Sequence, residues 1–384
     1  MSLPSASISP VLPLAAWISQ LRDMAIRGLA RMHRPEEGLF AFRIRPNQGE
    51  LILEGSSLRY TAIALIGLAG EDEAVQSSIL AGVEVEEACG RLVRRMAESD
   101  NLGDVALTFW ATCAVGSPDE RRSIEQRLIA LKPDQAAHPT VEVAWALSAL
   151  CADARGSLSS LCTRVARRLM TSFEAHSAMF PHKLGQASRG ARRHVSCFAD
   201  MVYPIHALAV YSELSGNPEA RDIVLRCASR ISSLQGSNGQ WWWHYDRRSG
   251  AIVERYPVYA VHQDAMAPMA LFAIESATRV DLHSSIARGL GWLAHAPELG
   301  GRSLVDVERG IIWRKVARRE PAKLNRYVQA LASRLHPSFR MPGLDLLFRP
   351  SAVDYEDRPY HLGWLLYAWP KTRVASLSQQ ATSA

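Results

Sequence analysis

Six times along the chain, a short polar stretch opens an apolar run with helical spacing. Ser56 and Ser57 lead into 61–68, residues 101–104 into 105–115, and 138–140 into 141–151. Residues 199–204 then lead into 205–214, 259–264 into 265–274, and 357–361 into 362–369. Between them lie more polar, Arg-rich segments at 17–32, 83–97, 117–130, 157–173, 218–233 and 284–294. A helix that is apolar all round is buried all round, whereas one with a single apolar stripe lies on the outside. Outer helix, loop, inner helix therefore repeats six times, in pattern more than in letters. The pattern predicts an all-α chain, a single (α/α)6-type toroid of helical hairpins. Strand signals are weak, and 51–53 and 251–253 predict short ribbons in loops. The polar first turns of the inner helices are expected to share one rim, where a substrate cavity opens.

Pro139, Pro204, Pro268 and Pro359 fall near the starts of inner segments. Proline fits a helix's first turn, where its missing N–H costs nothing. A kink inside a longer helix is the alternative at Pro268. The first-turn placement puts His138, Asp200, Tyr203, His262, Gln263 and Asp264 at helix N-termini, where free N–H groups and the dipole favour anions.

With 384 residues and 48% hydrophobic content the chain can bury a large core, and no linker interrupts it. One domain is expected over 13–370, with loose, polar ends at 1–12 and 371–384. The formal net charge is +6, and the Arg pairs are spread along the whole chain. A nucleic-acid binder would concentrate them on one element. Nucleic acid is therefore excluded as the partner, while an anionic small molecule fits the positive excess. Six scattered cysteines without a CxxC spacing predict unbridged thiols. No apolar run reaches transmembrane length, and no charged segment followed by a continuous apolar stretch opens the chain. A cytoplasmic protein is expected.

One loop concentrates chemistry. Gln235 through Gly239 closes a helix with turn residues, and Trp241, Trp242 and Trp243 follow, then His244, Tyr245 and Asp246. Consecutive loop side chains point different ways, so the three tryptophans are not expected to share one face. At least one is expected at a cavity or in solvent, as a stacking surface for a sugar or a carbocation. Gln235-x-x-x-Gly239-x-Trp241 resembles the QW motif of terpenoid cyclases and protein prenyltransferases, which are α/α toroids. The Gly239-x-Trp241 to Asp246 pattern is equally similar to loops of six-hairpin glycosidase-like enzymes, a group that includes unsaturated-uronyl hydrolases, sugar epimerases and polysaccharide lyases. The cyclase resemblance implies an acidic motif. Asp354-Tyr355-Glu356-Asp357 is a near miss for Asp-x-Asp-Asp, with Glu356 or Asp357 as the proton donor. The prenyltransferase resemblance implies zinc, but only His361 matches a ligand position and no Asp-x-Cys partner is present.

No nucleotide-binding or metalloprotease motif occurs, and no ligand spacing supports a metal or cofactor. The rim supplies the candidate chemistry. Asp264, Asp200 and Asp246 are the carboxylates available for glycosidic cleavage. His262, Tyr245 or Tyr203 is the base for uronate elimination or epimerisation, with Arg59 or Lys183 to hold the carboxylate. Trp241, Trp242, Trp243, His244, Gln263, Tyr203, Arg59, Tyr60, Tyr360 and His361 are the expected substrate-binding residues. Together they suit a polyhydroxylated ligand. The leading expectation is a carbohydrate-active hydrolase, lyase or epimerase acting on a glycan or glycan precursor, acidic sugars included. A terpenoid cyclase-like enzyme and a non-catalytic toroid that binds a glycan or peptide are the alternatives.

Overall fold

The computed structural model describes residues 13–153, 159–185, 192–320, 324–336, 339, 341 and 343–383. Five hairpins pair an outer with an inner helix in direct succession or across a short segment. They are α1 (Leu14–Met32) with α2 (Leu58–Leu68), followed by the short α3 (Glu73–Ile79), and α4 (Val85–Met96) with α5 (Leu102–Val115). Next come α6 (Pro118–Ala130) with α7 (Thr140–Ala152), and α8 (Ser160–Ser172) with α9 (Ala199–Ser215). The fifth pairs α10 (Pro218–Ser233) with α11 (Ala267–Thr278), which a π-helical turn, His262–Met266, precedes. In the sixth, α12 (His283–Ala294) is separated from its inner partner α15 (Pro359–Ala368) by strands and the helices α13 (Leu324–Leu335) and α14 (Leu344–Leu347). All six expected inner runs and all six outer ones fall on these helices.

Local chemistry explains the boundaries. The side chains of Ser57, Asn101 and Asn217 cap α2, α5 and α10 by accepting the N–H of Tyr60, Asp104 and Ala220. Ser117 and Glu120 form a reciprocal capping box at α6. Pro359 opens α15, and Pro139 directly precedes α7. Pro204 departs from the expectation. It lies inside α9, because that helix begins at Ala199, so the proline sits past the first turn and leaves the Asp200 carbonyl without its helical donor. Pro268 lies in the first turn of α11, as its second residue, and the π-turn runs into that helix without a break.

The inner helices pack side by side in the order α2, α5, α7, α9, α11, α15, and α15 returns to α2. The ring is closed by glycine. Gly67 on α2 and Gly363 on α15 bring two backbones together, and a Cβ added at Gly67 would lie 2.3 Å from the Gly363 carbonyl oxygen. A buried ion pair, Arg22 with Glu71 at 2.7 Å, ties α1 to the loop after α2. The strands are short ribbons between helices, the longest pairing Leu39–Asn47 with Glu50–Ser56. The two expected ribbons lie in strands Glu50–Ser56 and Ala251–Glu254.

The end beyond 370 departs from the expectation of a loose tail. Lys371–Ser383 forms α16, which packs on α1 with Val374 buried. The expected loose segment 1–12 lies outside the described residues. Cys89, Cys162 and Cys227 are buried, and no disulfide is present among the described residues. No helix among them is long and apolar enough to cross a membrane.

Candidate functional site

Side chains at and near the starts of the inner helices meet in a series of contacts around the ring. Tyr60 of α2 lies 4.8 Å, centroid to centroid, from Tyr360 of α15. Arg59 of α2 donates to Asp104 of α5 at 2.5 Å, approaches Glu142 of α7 at 3.9 Å, and lies over the Trp145 ring. Trp145 meets Tyr203 of α9 edge-on at 5.1 Å. Phe198, just before α9, packs 4.6 Å from the His262 ring in the π-turn. Asp264 of that turn then reaches His361 of α15, at 2.8 and 2.9 Å from Nε2. Around these contacts aromatic faces alternate with ionisable groups.

The π-turn brings the densest chemistry. A π-helical insertion shifts side chains out of the α register, and such bulges recur at functional sites. His262 stacks on Trp243 at 5.4 Å and 14°, and also contacts Tyr259. Its Nδ1 is buried without a partner among the described residues. Burial pushes its pKa down to about 3, and the charge of His361 adds to the effect, so this imidazole is neutral. His361 goes the other way. Burial lowers its pKa, but the charge and hydrogen bond of Asp264, with Asp357 beside them, outweigh that and leave it raised. Both partners of the Asp264–His361 pair are almost wholly inaccessible, at 0% and 4% of the side chain.

Asp357 completes this cluster. Burial pushes its carboxyl up to about 7, against the lowering effects of His361 and of the Arg358 and Ile312 backbone N–H groups. The sign of the stability effect follows. The folded state keeps a proton that the unfolded chain releases near the ordinary carboxylate pKa. Stability from this group is full below about pH 4 and is lost as pH rises to about 7. Asp357→Asn mimics the protonated form, so its melting temperature should gain on the wild type's as pH rises from 4 to 8. A difference that stays constant with pH would mean the carboxyl is not raised.

Glu356 behaves oppositely to its neighbour. Burial raises its pKa, but the Arg314 charge and hydrogen bonds from Arg43 and Arg358 leave it lowered. Arg43 lies 2.8 Å away, Arg358 also 2.8 Å, and Arg314 is in direct contact. It is therefore a carboxylate held by three guanidinium groups and a poor proton donor. Arg314 and Lys315 lie over the Tyr259 ring, at 5.2 and 5.3 Å from its centre. Lys315 also pairs with Asp354 at 2.9 Å. Arg358 donates to the Tyr60 hydroxyl at 2.8 Å and lies over Phe42. Cations thus gather beside the histidine cluster.

The other expected residues divide. Asp200 is fully buried, accepting the Cys197 N–H at 2.7 Å and lying 2.9 Å from His182 Nδ1. Tyr203 sits deeper, between Trp145 and Trp364, with its hydroxyl pKa raised by burial. His206, a turn below, bonds Ser148 and Tyr367 in the core. Lys183 is half-buried beside His182. The three tryptophans diverge. Trp241 is wholly buried beside Gly289 of α12, Trp242 lines a separate surface cavity of about 550 Å³ with Tyr256 and Arg255, and only Trp243 reaches the rim.

Six expected site residues in this loop and turn are committed elsewhere by their contacts. Asp246 spends both oxygens on Arg248 in a tight turn. Tyr245, on the opposite strand face, is buried towards Cys227 of the outer α10. His244 is buried against Arg192, 2.9 Å away. Gln263 uses its amide on the Tyr259 carbonyl and the Trp241 N–H. Trp242 faces away from the circuit, and Trp241 is buried behind it with its ring 5.5 Å from that of Phe198. The QW-like motif is itself a fastening: Gln235 donates to the Gly239 and Ser285 carbonyls, and Gly239, at φ +97°, backs onto the Arg288 carbonyl of α12.

Sequence reading passed over His182, Cys197, Trp145, Asp104 and Lys315 as site residues. The signal available was position, since Asp104 lies in the polar stretch that opens a predicted inner helix and Trp145 lies one turn into the next.

No protein-family model matches the chain, and no curated protein is similar to it in sequence. Solved structures are similar in fold. Cellobiose 2-epimerase from Bacillus thermoamylovorans superposes with a TM-score of 0.63 at 11% identity, over 94% of this chain and 100% of that one. The unsaturated glucuronyl hydrolase of Bacillus sp. GL1, described as responsible for glycosaminoglycan degradation, gives 0.56 at 12% identity over 95% and 97%. An inactive α-1,6-mannanase variant of Salegentibacter sp. in complex with α-1,6-mannotriose gives 0.52 at 9% over 94% and 99%. These likenesses establish the six-hairpin α/α-toroid fold.

Proposed function

We propose that this protein is a carbohydrate-active enzyme that moves a proton at a sugar carbon, as an epimerase or lyase does. One observation carries the reading. Two imidazoles in one buried cluster are pushed in opposite directions, the pKa of His361 raised by Asp264 against its burial and that of His262 lowered by burial. Titratable neighbours whose pKa values are pushed apart are the usual mark of an acid and a base. His262 Nδ1, without a partner among the described residues, takes the proton from the carbon next to a carbonyl or carboxyl group. The His361 imidazolium stabilises the oxygen where charge develops, and Arg314 and Lys315 hold an anionic substituent. That anion also raises the proton affinity of His262 while substrate is bound. Trp243 and Tyr259 offer their faces to the sugar ring. Neighbours of the same fold act on or bind sugars by their descriptions, which agrees with the reading.

Hydrolysis by two carboxylates is less well supported, because Asp200 and Asp264 are bound to imidazoles and Asp246 to Arg248. Asp357, kept protonated near neutrality, favours a second reading as a cyclase-like proton donor to an isoprenoid. A thermal-shift screen with uronates, neutral oligosaccharides and prenyl diphosphates separates these, since a ligand of the native state raises the melting temperature. The sugar that shifts it should then either gain deuterium at carbon in D2O, if it is epimerised, or yield a product with a new carbon–carbon double bond, if it is cleaved by elimination. Cleavage by water, with neither deuterium at carbon nor a new carbon–carbon double bond in the product, would overturn proton transfer. A shift with prenyl diphosphates alone would favour the cyclase, and no shift with any of them a non-catalytic toroid.

A further inference from the structure

We infer that His182, Cys197 and Asp200 form a zinc-binding site at the start of α9, beside the aromatic rim. One ligand atom from each, a ring nitrogen, a thiol sulfur and a carboxylate oxygen, lies within 4.8 Å of the others. A tetrahedral zinc ion with bonds of roughly 2.0–2.3 Å holds its ligand atoms roughly 3.3–3.8 Å apart. To reach that spacing the 2.9 Å contact between His182 and Asp200 opens and any pair near the 4.8 Å limit closes, both by side-chain rotation.

The backbone holds all three ligands in place. Cys197 ends a strand that pairs with His244–Asp246, and the next residue, Phe198, donates its N–H to the Trp243 carbonyl at 2.9 Å. Asp200 follows in the first turn of α9, and one oxygen accepts the Cys197 N–H at 2.7 Å. That bond is the outer-shell support that ligating carboxylates ordinarily have. His182 is anchored through its own carbonyl, which accepts the Thr140 N–H of α7 at 3.1 Å, and the adjacent Lys183 pairs in a two-residue ribbon with Pro139. Two loops attached to neighbouring inner helices thus converge on one point.

The donor set selects the ion. A thiolate disfavours magnesium and calcium, which take oxygen ligands. Nitrogen, sulfur and a single carboxylate suit zinc. The ligands grade from a buried carboxylate to a histidine side chain that is 61% exposed, so one side of the site faces solvent. Three protein ligands with an accessible fourth position are the pattern of a reactive zinc rather than a structural one. Such an ion would supply Lewis-acid polarisation of a substrate oxygen. The sequence carries only a weak trace of this site, a Cys-x-x-Asp at the opening of an inner helix, with the third ligand 15 positions before the cysteine.

The test needs no substrate. Full-length protein purified without chelators should contain about one equivalent of zinc per chain by elemental analysis. After zinc removal, cobalt(II) should bind with a near-ultraviolet thiolate-to-metal band and an intense tetrahedral visible spectrum. Cys197→Ser should abolish the ultraviolet band. His182→Ala should weaken cobalt binding by at least about 10–100-fold, the range seen when even an outer-shell partner is lost. His182 is mostly exposed, so this variant keeps the test open if Cys197→Ser does not fold. Metal-free protein that gives no thiolate band with cobalt, or a band that survives Cys197→Ser, would overturn the site. Zinc binding without any sugar binding would overturn the proposed function and leave this site standing. Sugar-dependent proton exchange in zinc-free protein would do the reverse only if cobalt also fails to bind.

Discussion

Asp264→Asn should leave a folded protein whose His361 no longer holds a proton at neutral pH. The carboxylate is the largest raising influence on that imidazole, and its removal leaves burial, which lowers the pKa, in command. NMR titration of the His361 ring should therefore move from above the ordinary histidine range to below it. If His361 is the acid, turnover of the sugar identified by screening should fall by about 10²–10⁴-fold, the usual contribution of acid–base catalysis. Adding His361→Asn to this variant should cost little more, because the pair acts as a unit. A buried pair that serves only the fold gives a different pattern. Asp264→Ala would then lose about 3–5 kcal/mol of stability, the cost of stranding one partner, while Asp264→Asn kept its turnover.

Gly67→Ala should open the seam of the toroid. The added methyl meets the Gly363 carbonyl oxygen at 2.3 Å and its carbonyl carbon at 2.9 Å, and neither is a flexible side chain that can swing away. Overpacking of this kind costs about 1–3 kcal/mol, with the backbone contact placing it at the upper end. Alanine's better helix propensity returns roughly 1 kcal/mol. Urea unfolding should show the net loss, and Gly363→Ala should show the same, since its Cβ would meet the Ile63 carbonyl oxygen at 2.6 Å. By contrast, Gly291→Ala on the outer α12 meets nothing within 4 Å and should be neutral or stabilising. If Gly67→Ala is as stable as the wild type, the two inner helices do not approach as closely as this geometry requires.

The architecture was legible in the chain because burial on every side and burial on one side write different patterns into a helix. The runs 61–68, 105–115 and 141–151 are apolar all round, whereas α4 carries Glu86, Glu87, Arg94 and Arg95 on its outer face. Polar first turns marked the helix starts, and so the rim, without any structure. They also singled out Asp264, His262 and His361 as site residues, which share one cluster. The tail after 370 was misread because its composition is small and polar, and only docking on α1 holds it helical.

Local sequence could not say which of several adjacent polar side chains faces the cavity. Trp241, Trp242 and Trp243 are equivalent in composition, yet strand direction and the π-turn send one to the core, one to an outer cavity and one to the rim. His244, Tyr245 and Asp246 suffered the same ambiguity, and the turn and the α10 layer absorbed Asp246 and Tyr245. The pairing of Asp264 with His361 spans 97 positions, and that of Arg43 with Glu356 spans 313. Arg43 and Glu356 meet because the sixth hairpin returns to the first, and Asp264 meets His361 because α15 packs beside the π-turn after a long insertion. Periodicity reports the averaged environment of a helix face, so the sequence by itself determined the ring and its polar rim. Protonation states and partnerships depend on single contacts across the closed ring, and only the tertiary structure decided them.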